Sequence, residues 1–328
     1  MKKISIIIPI FNEPRLIFSC IDSLVLACQE CEYEIIIVDD GSNQETKDNL
    51  EKLKNKNIKV FYLEKNFGRA YARLFGARNA MYEKIILFDS RVEADKNFIS
   101  NIVCDYDIVM TGDVKPKKNN LFHKSLNTLR EFVFRSYYKN LNSKQDYYEL
   151  TEENFNSTPK GTTAVYFRDK EILFKICQDL DVTDKNISED TRIFKKGILM
   201  GFKIFRALNA RVFYFQREGI VNNLVHLYQR GPRFVDYYLR FPNKFRKFLY
   251  LYIVLSIILI LLLFINPLLL LCLIILFIFL SLIFVFYISK KFDQFIALIV
   301  TLPFIILAFS LGVTKGIIIY FLKHNKSI

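Results

Sequence analysis

From Phe248 to Ile288 the chain carries no charged side chain, and that run limits its fold more than any other feature. At roughly 20 apolar residues per crossing, it is long enough to pass through a bilayer twice. Asn266-Pro267 interrupts it near the middle, and proline removes a backbone donor and disrupts the preceding helical turn. The run therefore reads as a hairpin of two helices, with Asn266 at the far surface. A polar turn with Lys290 and Lys291 follows. A third apolar stretch then runs from Phe295 to Leu322, broken by Pro303, Gly312, Lys315 and Gly316. The expected helices are 249–265, 268–288 and 295–322. The positive-inside rule places Lys244, Arg246, Lys247, Lys290 and Lys291 together in the cytosol. A third crossing would put Lys323, His324 and Lys326 outside, against that rule. Three crossings and a re-entrant third stretch both remain open; three is the preferred reading. Lys315 would snorkel or face the protein interior.

Before about Lys247 the composition is mixed and charged, and this part is long enough to bury a full core. The whole chain has 328 residues and a formal charge of +13. Such a balance fits a lysine-rich solvated surface, attraction to anionic lipid headgroups, or a phosphorylated substrate. No recognition motif supports nucleic acid. Cys28 and Cys31 form a lone CxxC with no second pair, so they read as core residues rather than a zinc site. The scattered cysteines suit a reducing cytosol. The opening MKKISIIIPI lacks the length and cleavage site of a signal peptide.

Short isoleucine-rich runs alternate with helical patterns. Ile4–Ile10, Tyr33–Val38, Ile58–Leu63 and Lys84–Phe88 read as buried strands. Helices are expected from Pro14 through Leu26 and over Arg69–Met81. This alternation predicts βαβ units and a mostly parallel central sheet flanked by helices. Asp107–Thr111, Thr162–Phe167 and Lys203–Phe215 continue as strands. A helix is expected near Ser125–Tyr138 within a polar insertion. Another is expected from Asp169, and a further one capped by Ser188. The organisation reads as a domain at 1–221, a basic, aromatic interfacial segment at 222–247 and a transmembrane domain at 248–328.

Acidic residues sit where these strands end. Ligands of open parallel sheets bind outside the carboxyl ends of the strands. Asp39, Asp40 and Asp89 fall there, as do Asn12 and Glu13. Turn preference accounts for any one of them. Several in the same relative place call for a ligand that brings cations or hydrogen-bond donors.

Four segments carry a resemblance: SIIIPIFNE (Ser5–Glu13), EIIIVDDGS (Glu34–Ser42), NFGRAYARLFGA (Asn66–Ala77) and ILFDSRVEAD (Ile86–Asp95). Together they resemble glycosyltransferase family 2, and the resemblance implies the GT-A nucleotide-diphospho-sugar transferase fold. GTTAVYF (Gly161–Phe167), SEDTR (Ser188–Arg192) and YQRGPRF (Tyr228–Phe234) extend it more loosely. By that resemblance, Pro9, Asn12, Glu13, Asp39 and Asp40 line the nucleotide pocket, with Asp40 facing base or ribose. Asn66, Gly68 and Arg69 lie beside the nucleotide, and Asp89 opens the family's DxD motif and meets metal and diphosphate. Asp190, paired with Glu189, is the general base for an inverting displacement. Gln229, Arg230 and Arg233 hold a diphosphate or lipid phosphate.

One departure bears on the cofactor. The triplet is Asp89-Ser90-Arg91, with a guanidinium where the family usually has its second acid. This puts the need for a divalent metal, Mg2+ or Mn2+, in question. Three explanations stand: Arg91 itself neutralises the leaving diphosphate, Glu93 or Asp95 supplies the missing ligand, or activity is lost. The first is preferred. Val212–Phe215 also lacks the histidine that some members use as a further ligand.

The expected activity is sugar transfer from a nucleotide-diphosphate sugar to a membrane-associated, polyprenyl- or lipid-linked acceptor at an anionic membrane surface. The expected place is the inner, cytoplasmic membrane, multi-pass, with the catalytic domain cytosolic. The alternative is a non-catalytic relative that binds nucleotide sugar or lipid. A nucleotidyltransferase is disfavoured, because Phe11-Asn12-Glu13 stands where that class carries a glycine-rich loop and a lysine.

Overall fold

The computed structural model describes residues 2–117, 120–140, 145–161, 163–183, 189–240 and 245–324. The expected Ser188 cap lies outside them. Two compact units result. One gathers residues 1–118, 134–185 and 189–216, and the other residues 119–133 and 217–328. The units divide between 216 and 217, where the sequence reading put a boundary at 221. The inclusion of 119–133 with the helical unit had no signal in the sequence.

The first unit is built on the expected alternation. Its elements are β1 (Lys2–Ile10), α1 (Leu16–Ala27), β2 (Cys31–Asp39), α2 (Gln44–Glu51), β3 (Ile58–Tyr62), α3 (Arg69–Arg78) and β4 (Ile85–Phe88). Then come β5 (Val92–Ala94), α4 (Phe98–Ile102) and β6 (Ile108–Pro116). The unit resumes after 133 with α6 (Arg135–Asn140), β7 (Tyr147–Leu150), β8 (Ala164–Phe167), α7 (Lys170–Cys177), α8 (Glu189–Leu199) and β9 (Ile204–Tyr214). The intervening helix of the second unit is α5 (Leu121–Val133). The single helix expected near Ser125–Tyr138 is thus two, α5 and α6, divided between the units.

The strand order is β3-β2-β1-β4-β8-β6-β9-β5, with β7 also paired to β9. The first four strands are parallel, as expected. Beyond β4 the sheet is mixed: β8 runs antiparallel to both β4 and β6, while β6 and β9 are parallel. The expectation of a mostly parallel sheet holds for the N-terminal half only. β5 was not foreseen, since Val92–Ala94 is too short to show a period. Ile4, Ile6, Ile7, Ile8 and Ile35–Ile37 are fully buried. Strands covered on both faces read as unbroken apolar runs, and that is how these were recognised. Cys28 is buried in this core and Cys31 opens β2, with both thiols free.

The second unit contains α5, α9 (Ile220–Arg240), α10 (Phe245–Ile265), α11 (Pro267–Ile288) and α12 (Phe292–His324). Asn266 caps α11 by accepting a hydrogen bond from Leu269 N (3.0 Å), and Pro267 occupies the first turn, where a missing N–H costs nothing. Residues 246–265, 267–288 and 292–322 are each long and apolar enough to cross a membrane. On α10 and α11 the large apolar side chains face outward: Ile260, Phe264, Ile275 and Phe279 are all exposed. An apolar exterior on this scale is that of a membrane protein.

Candidate active site

β1 and β2 end side by side, and the sequence there turns sharply. Asn12 has φ 49° and Gly41 φ 74°. A Cβ on Gly41 would stand 2.6 Å from the Lys65 carbonyl carbon, so this turn requires glycine. Asn12 N donates to Ser42 Oγ (2.9 Å), and Asn43 N donates to Asn12 Oδ1 (2.9 Å). Asp39 accepts from Ser42 N, at 3.2 Å on Oδ1. The two oxygens of Asp40 accept from Phe67 N (2.7 Å) and Gly68 N (2.9 Å). Asp40 is buried and clamps the loop leading into α3, where Gly68 takes φ 101°. Asn66 lies on that loop. Pro9 is inside β1, in register with Val38.

A second group of charges draws on three elements. Arg69 and Arg73 project from the first turns of α3, one turn apart. Asp89 follows β4, and Glu189 and Asp190 open α8, where the helix dipole favours acids. Arg73 Nη2 donates to Asp89 Oδ1 (2.8 Å), and Arg73 Nη1 donates to Asp190 Oδ1 (2.8 Å). Arg69 Nη2 donates to Asp190 Oδ2 (2.9 Å), and Arg69 Nε pairs with Glu189. Arg69 Nη1 also stands 3.7 Å from Asp89 Oδ2. Three carboxylates thus share two guanidiniums. Burial works against the Arg69 charge, but Asp190, Glu189 and Asp89 outweigh it and hold the guanidinium protonated. Burial, reinforced by Asp190, pushes the Asp89 carboxyl above its ordinary value against the pull of Arg69 and Arg73.

Arg91 faces elsewhere. Its Nη1 pairs with Glu13 Oε2 (2.7 Å), while Nε and Nη2 donate to the carbonyls of Phe215 (3.3 Å) and Gln216 (3.2 Å). Glu93 pairs with Lys117, and Asp95 Oδ1 caps its own turn by accepting from Asn97 N (3.0 Å). Neither replaces the missing acid beside Asp89. Among the described residues, no group of three or more His, Cys, Asp or Glu is placed to hold a metal ion. Asp89, the expected metal contact, faces guanidinium nitrogens with both oxygens. This donor set, as arranged, does not fit a divalent cation.

The structure therefore brings Arg69, Asp89, Glu189 and Asp190 together. It keeps Asn12, Asp39, Asp40 and Gly68 in a neighbouring hydrogen-bonded turn, and it pairs Glu13 with Arg91. Gln229, Arg230 and Arg233 lie on α9, in the other unit. Arg73 was missed by sequence reasoning, although its spacing of four from Arg69 on a helix was a usable signal.

Residues 5–159 match the family described as glycosyl transferase family 2. A dolichyl N-acetyl-alpha-D-glucosaminyl phosphate 3-beta-D-2,3-diacetamido-2,3-dideoxy-beta-D-glucuronosyltransferase of Methanococcus voltae is 26% identical over 234 residues, covering 67% of this chain and 69% of the relative. An undecaprenyl-phosphate 4-deoxy-4-formamido-L-arabinose transferase of Yersinia pestis is 31% identical over 134 residues. That match covers 38% of this chain and 41% of the relative. A mannosyltransferase of Pyrobaculum calidifontis, solved with GDP-Man and Mn2+, shares the fold with a TM-score of 0.50 at 14% identity, over 73% of this chain and 65% of that one. Residues 5–159 thus carry a glycosyl transferase family 2 domain on a GT-A fold, with apolar helices further along the chain.

Proposed function

We propose that the chain moves a sugar from a nucleotide-diphosphate donor to a lipid-linked acceptor at the cytosolic face of the inner membrane, with inversion at the anomeric carbon. The observation that carries this reading is the convergence of Asp89, Glu189 and Asp190 on Arg69 and Arg73 beyond the end of β4. The names of the two relatives, whose acceptors are polyprenyl phosphates or a sugar carried on one, support the acceptor class.

The ion pairs imply an order of events. With no donor, both guanidiniums hydrogen-bond Asp190 and occupy its two carboxylate oxygens. A diphosphate carries more negative charge than a carboxylate and matches guanidinium geometry, so it competes for Arg69 and Arg73. Donor binding thereby releases Asp190 to take the acceptor hydroxyl proton. The acceptor oxygen attacks the anomeric carbon, and the bond to the diphosphate oxygen breaks on the opposite face. The two arginines stabilise the charge that develops on the departing nucleoside diphosphate. This assigns to Arg69 and Arg73 the role that the sequence alone led us to expect of Arg91. Arg91, through Glu13, shapes the wall of the donor pocket instead.

The test is nucleotide release from a panel of nucleotide sugars by the detergent-purified chain, with polyprenyl phosphate or polyprenyl-phosphate-linked sugar as acceptor. Acceptor-dependent release is expected, and Asp190→Asn should lower it by about 10²–10⁴-fold while donor binding persists. It should continue in excess chelator. Transfer that Asp190→Asn leaves untouched would remove Asp190 as base, and absolute metal dependence would remove the two-arginine account. No release across the panel from protein that binds nucleotide would favour the non-catalytic alternative, which the neutralised carboxylates also fit.

A further inference from the structure

α12 is long and apolar enough to cross a bilayer, yet its neighbours within the helical unit follow an order that a crossing does not produce. Read as two crossings joined at Asn266-Pro267, α10 and α11 put the start of α10 and the end of α11 on one side of the bilayer. α12 begins at Phe292, just after α11, on that same side. A helix rises about 1.5 Å per residue, so a crossing α12 would carry Val313 about 30 Å from its start, level with the far end of α10. Val313 instead packs with Leu249, in the first turns of α10. The Tyr252 hydroxyl donates to Ser310 O (3.2 Å) and lies 3.0 Å from Thr314 Oγ1. At the other end, Leu298 and Leu302 pack with Val285 and Ile288, in the last turn of α11. α12 therefore leads from the end of α11 to the beginning of α10, two points at the same depth.

α9 gives the direction independently. Leu227 packs with Ile305 and Ala308. A Cβ on Gly231 would stand 2.0 Å from the Gly312 carbonyl carbon, and one on Gly316 would meet Pro232 at 2.7 Å. Val235 and Leu239 share a cluster with Val313 and Tyr320. The contacts advance together along both helices, so α9 and α12 run side by side in the same direction, backbone against backbone. α9 carries Arg230, Arg233, Asp236 and Arg240. That set is prohibitive for a bilayer crossing and suits a helix lying in the interface. A helix fixed along α9 shares its plane. α5 covers the first half of α12: Thr301 Oγ1 donates to Ser125 Oγ (2.7 Å), and Lys124 pairs with Asp293 (2.6 Å). The remaining face of α12 exposes Ile296, Phe304, Leu311 and Ile318.

We infer that α12 lies flat in one leaflet, roofed by α5 and α9, with its open face against acyl chains, and that the chain crosses the bilayer twice. The inference rests on the membrane reading of α10 and α11. It also resolves a charge conflict. Two crossings leave Lys290, Lys291, Lys315 and Lys323 on the same side as Arg246 and Lys247, as the positive-inside rule requires.

The sequence has no tryptophan, so single tryptophans report depth without background. The full chain, reconstituted in liposomes containing lipids brominated at different depths, would carry Ile296→Trp, Phe304→Trp, Leu311→Trp or Ile318→Trp. All four should be quenched best by the same shallow bromolipid, at depths within about 5 Å of one another. A crossing helix would sink Phe304→Trp about 12 Å below Ile296→Trp and carry Ile318→Trp beyond the far edge of the hydrocarbon, at about 1.5 Å per residue. That pattern would overturn the inference. Leu276→Trp in mid-α11 should be quenched best by the deepest bromolipid. A shallow Leu276→Trp would refute the hairpin crossing itself, which separates that failure from a misplaced α12.

Discussion

The two units solve opposite problems with the same chain. In the sheet unit the isoleucines of β1 and β2 are buried, and Arg69, Arg73 and their carboxylates gather at one end. In the helical unit the apolar side chains of α10 and α11 are exposed, and the closest packing is made by glycines: Gly231 against Gly312, and Gly316 against Pro232. Apolar burial drives assembly in water. Lipid tails are as apolar as leucine, so helix association there depends on close backbone approach and on hydroxyl bonds such as Thr301–Ser125. The contrast teaches that one unit is organised against water and the other against acyl chains.

The strongest way to break the contrast is to unbalance this cluster of charges in the sheet unit. The Arg73 side chain is 5% exposed and pairs with both Asp89 and Asp190. Arg73→Met leaves Asp89 and Asp190 with Arg69 as their one remaining guanidinium of this cluster and should cost about 3–5 kcal/mol, read as a fall in the urea midpoint. Burial and Asp190 already push the Asp89 carboxyl upward. Without Arg73 its folded value rises further above the unfolded one, so the folded state binds the extra proton. Stability of the variant should therefore recover relative to wild type as pH falls from 7 toward 5. A constant deficit across that range would place Arg73 as packing rather than charge balance.

The next test asks which solvent each surface faces. Leu276 in α11 is 51% exposed, and Leu26 in α1 is 60% exposed. In water both tolerate lysine. At the middle of a membrane helix lysine costs about 2.5–3.5 kcal/mol. Leu276→Lys should lower the membrane-inserted fraction, and Leu26→Lys should leave it unchanged. Equal behaviour of the two variants would erase the distinction between the units.

Glycine packing supplies a smaller effect. Gly231→Ala drives a methyl into the Gly312–Val313 backbone and should lower the thermal midpoint in detergent by the equivalent of about 1–3 kcal/mol. Gly161, with open space where its Cβ would stand, should accept alanine without a shift. Similar losses at both positions would mean that α9 and α12 are not in backbone contact.

Much of this was legible in the sequence, for physical reasons that also explain what was not. Doubly covered strands show as unbroken isoleucine, so β1, β2 and β4 could be read directly, as could the acids at their ends. Hydropathy finds an apolar helix but is blind to what covers it, so the sequence left α12 open between a crossing and a re-entrant stretch. Its partner glycines and the α5 hydroxyls are ordinary residues until the fold brings them together. The polar insertion hid its division because Leu121–Val133 and Arg135–Asn140 abut at Phe134 without proline or glycine. Arg91 was credited with the diphosphate because it stands in the Asp-x-Asp triplet. Only the three-dimensional arrangement shows it turned to Glu13, with Arg73 nearer the acids.

The smallest expected effect sharpens the comparison at the opposite end of the sheet from the candidate site, where a single buried acid is fully served. Glu34 in β2 accepts from Ser5 Oγ (2.6 Å), Met81 N (2.5 Å) and Lys59 Nζ (2.8 Å). Burial opposes its charge, but Lys59, the Ser5 hydroxyl and the Met81 N–H together outweigh burial and hold the carboxyl below its ordinary value. A depressed folded value means that the unfolded chain binds the proton first. Its stabilisation is complete above about pH 4.3 and is lost as pH falls through the lower, folded value. Glu34→Gln should cost about 1 kcal/mol near pH 7 and less below pH 4, so the urea midpoints of variant and wild type should converge in acid. A gap that widens in acid would show that Glu34 is stabilised as the neutral carboxyl, making this end of the sheet resemble the strained, burial-dominated acid at Asp89 rather than contrast with it.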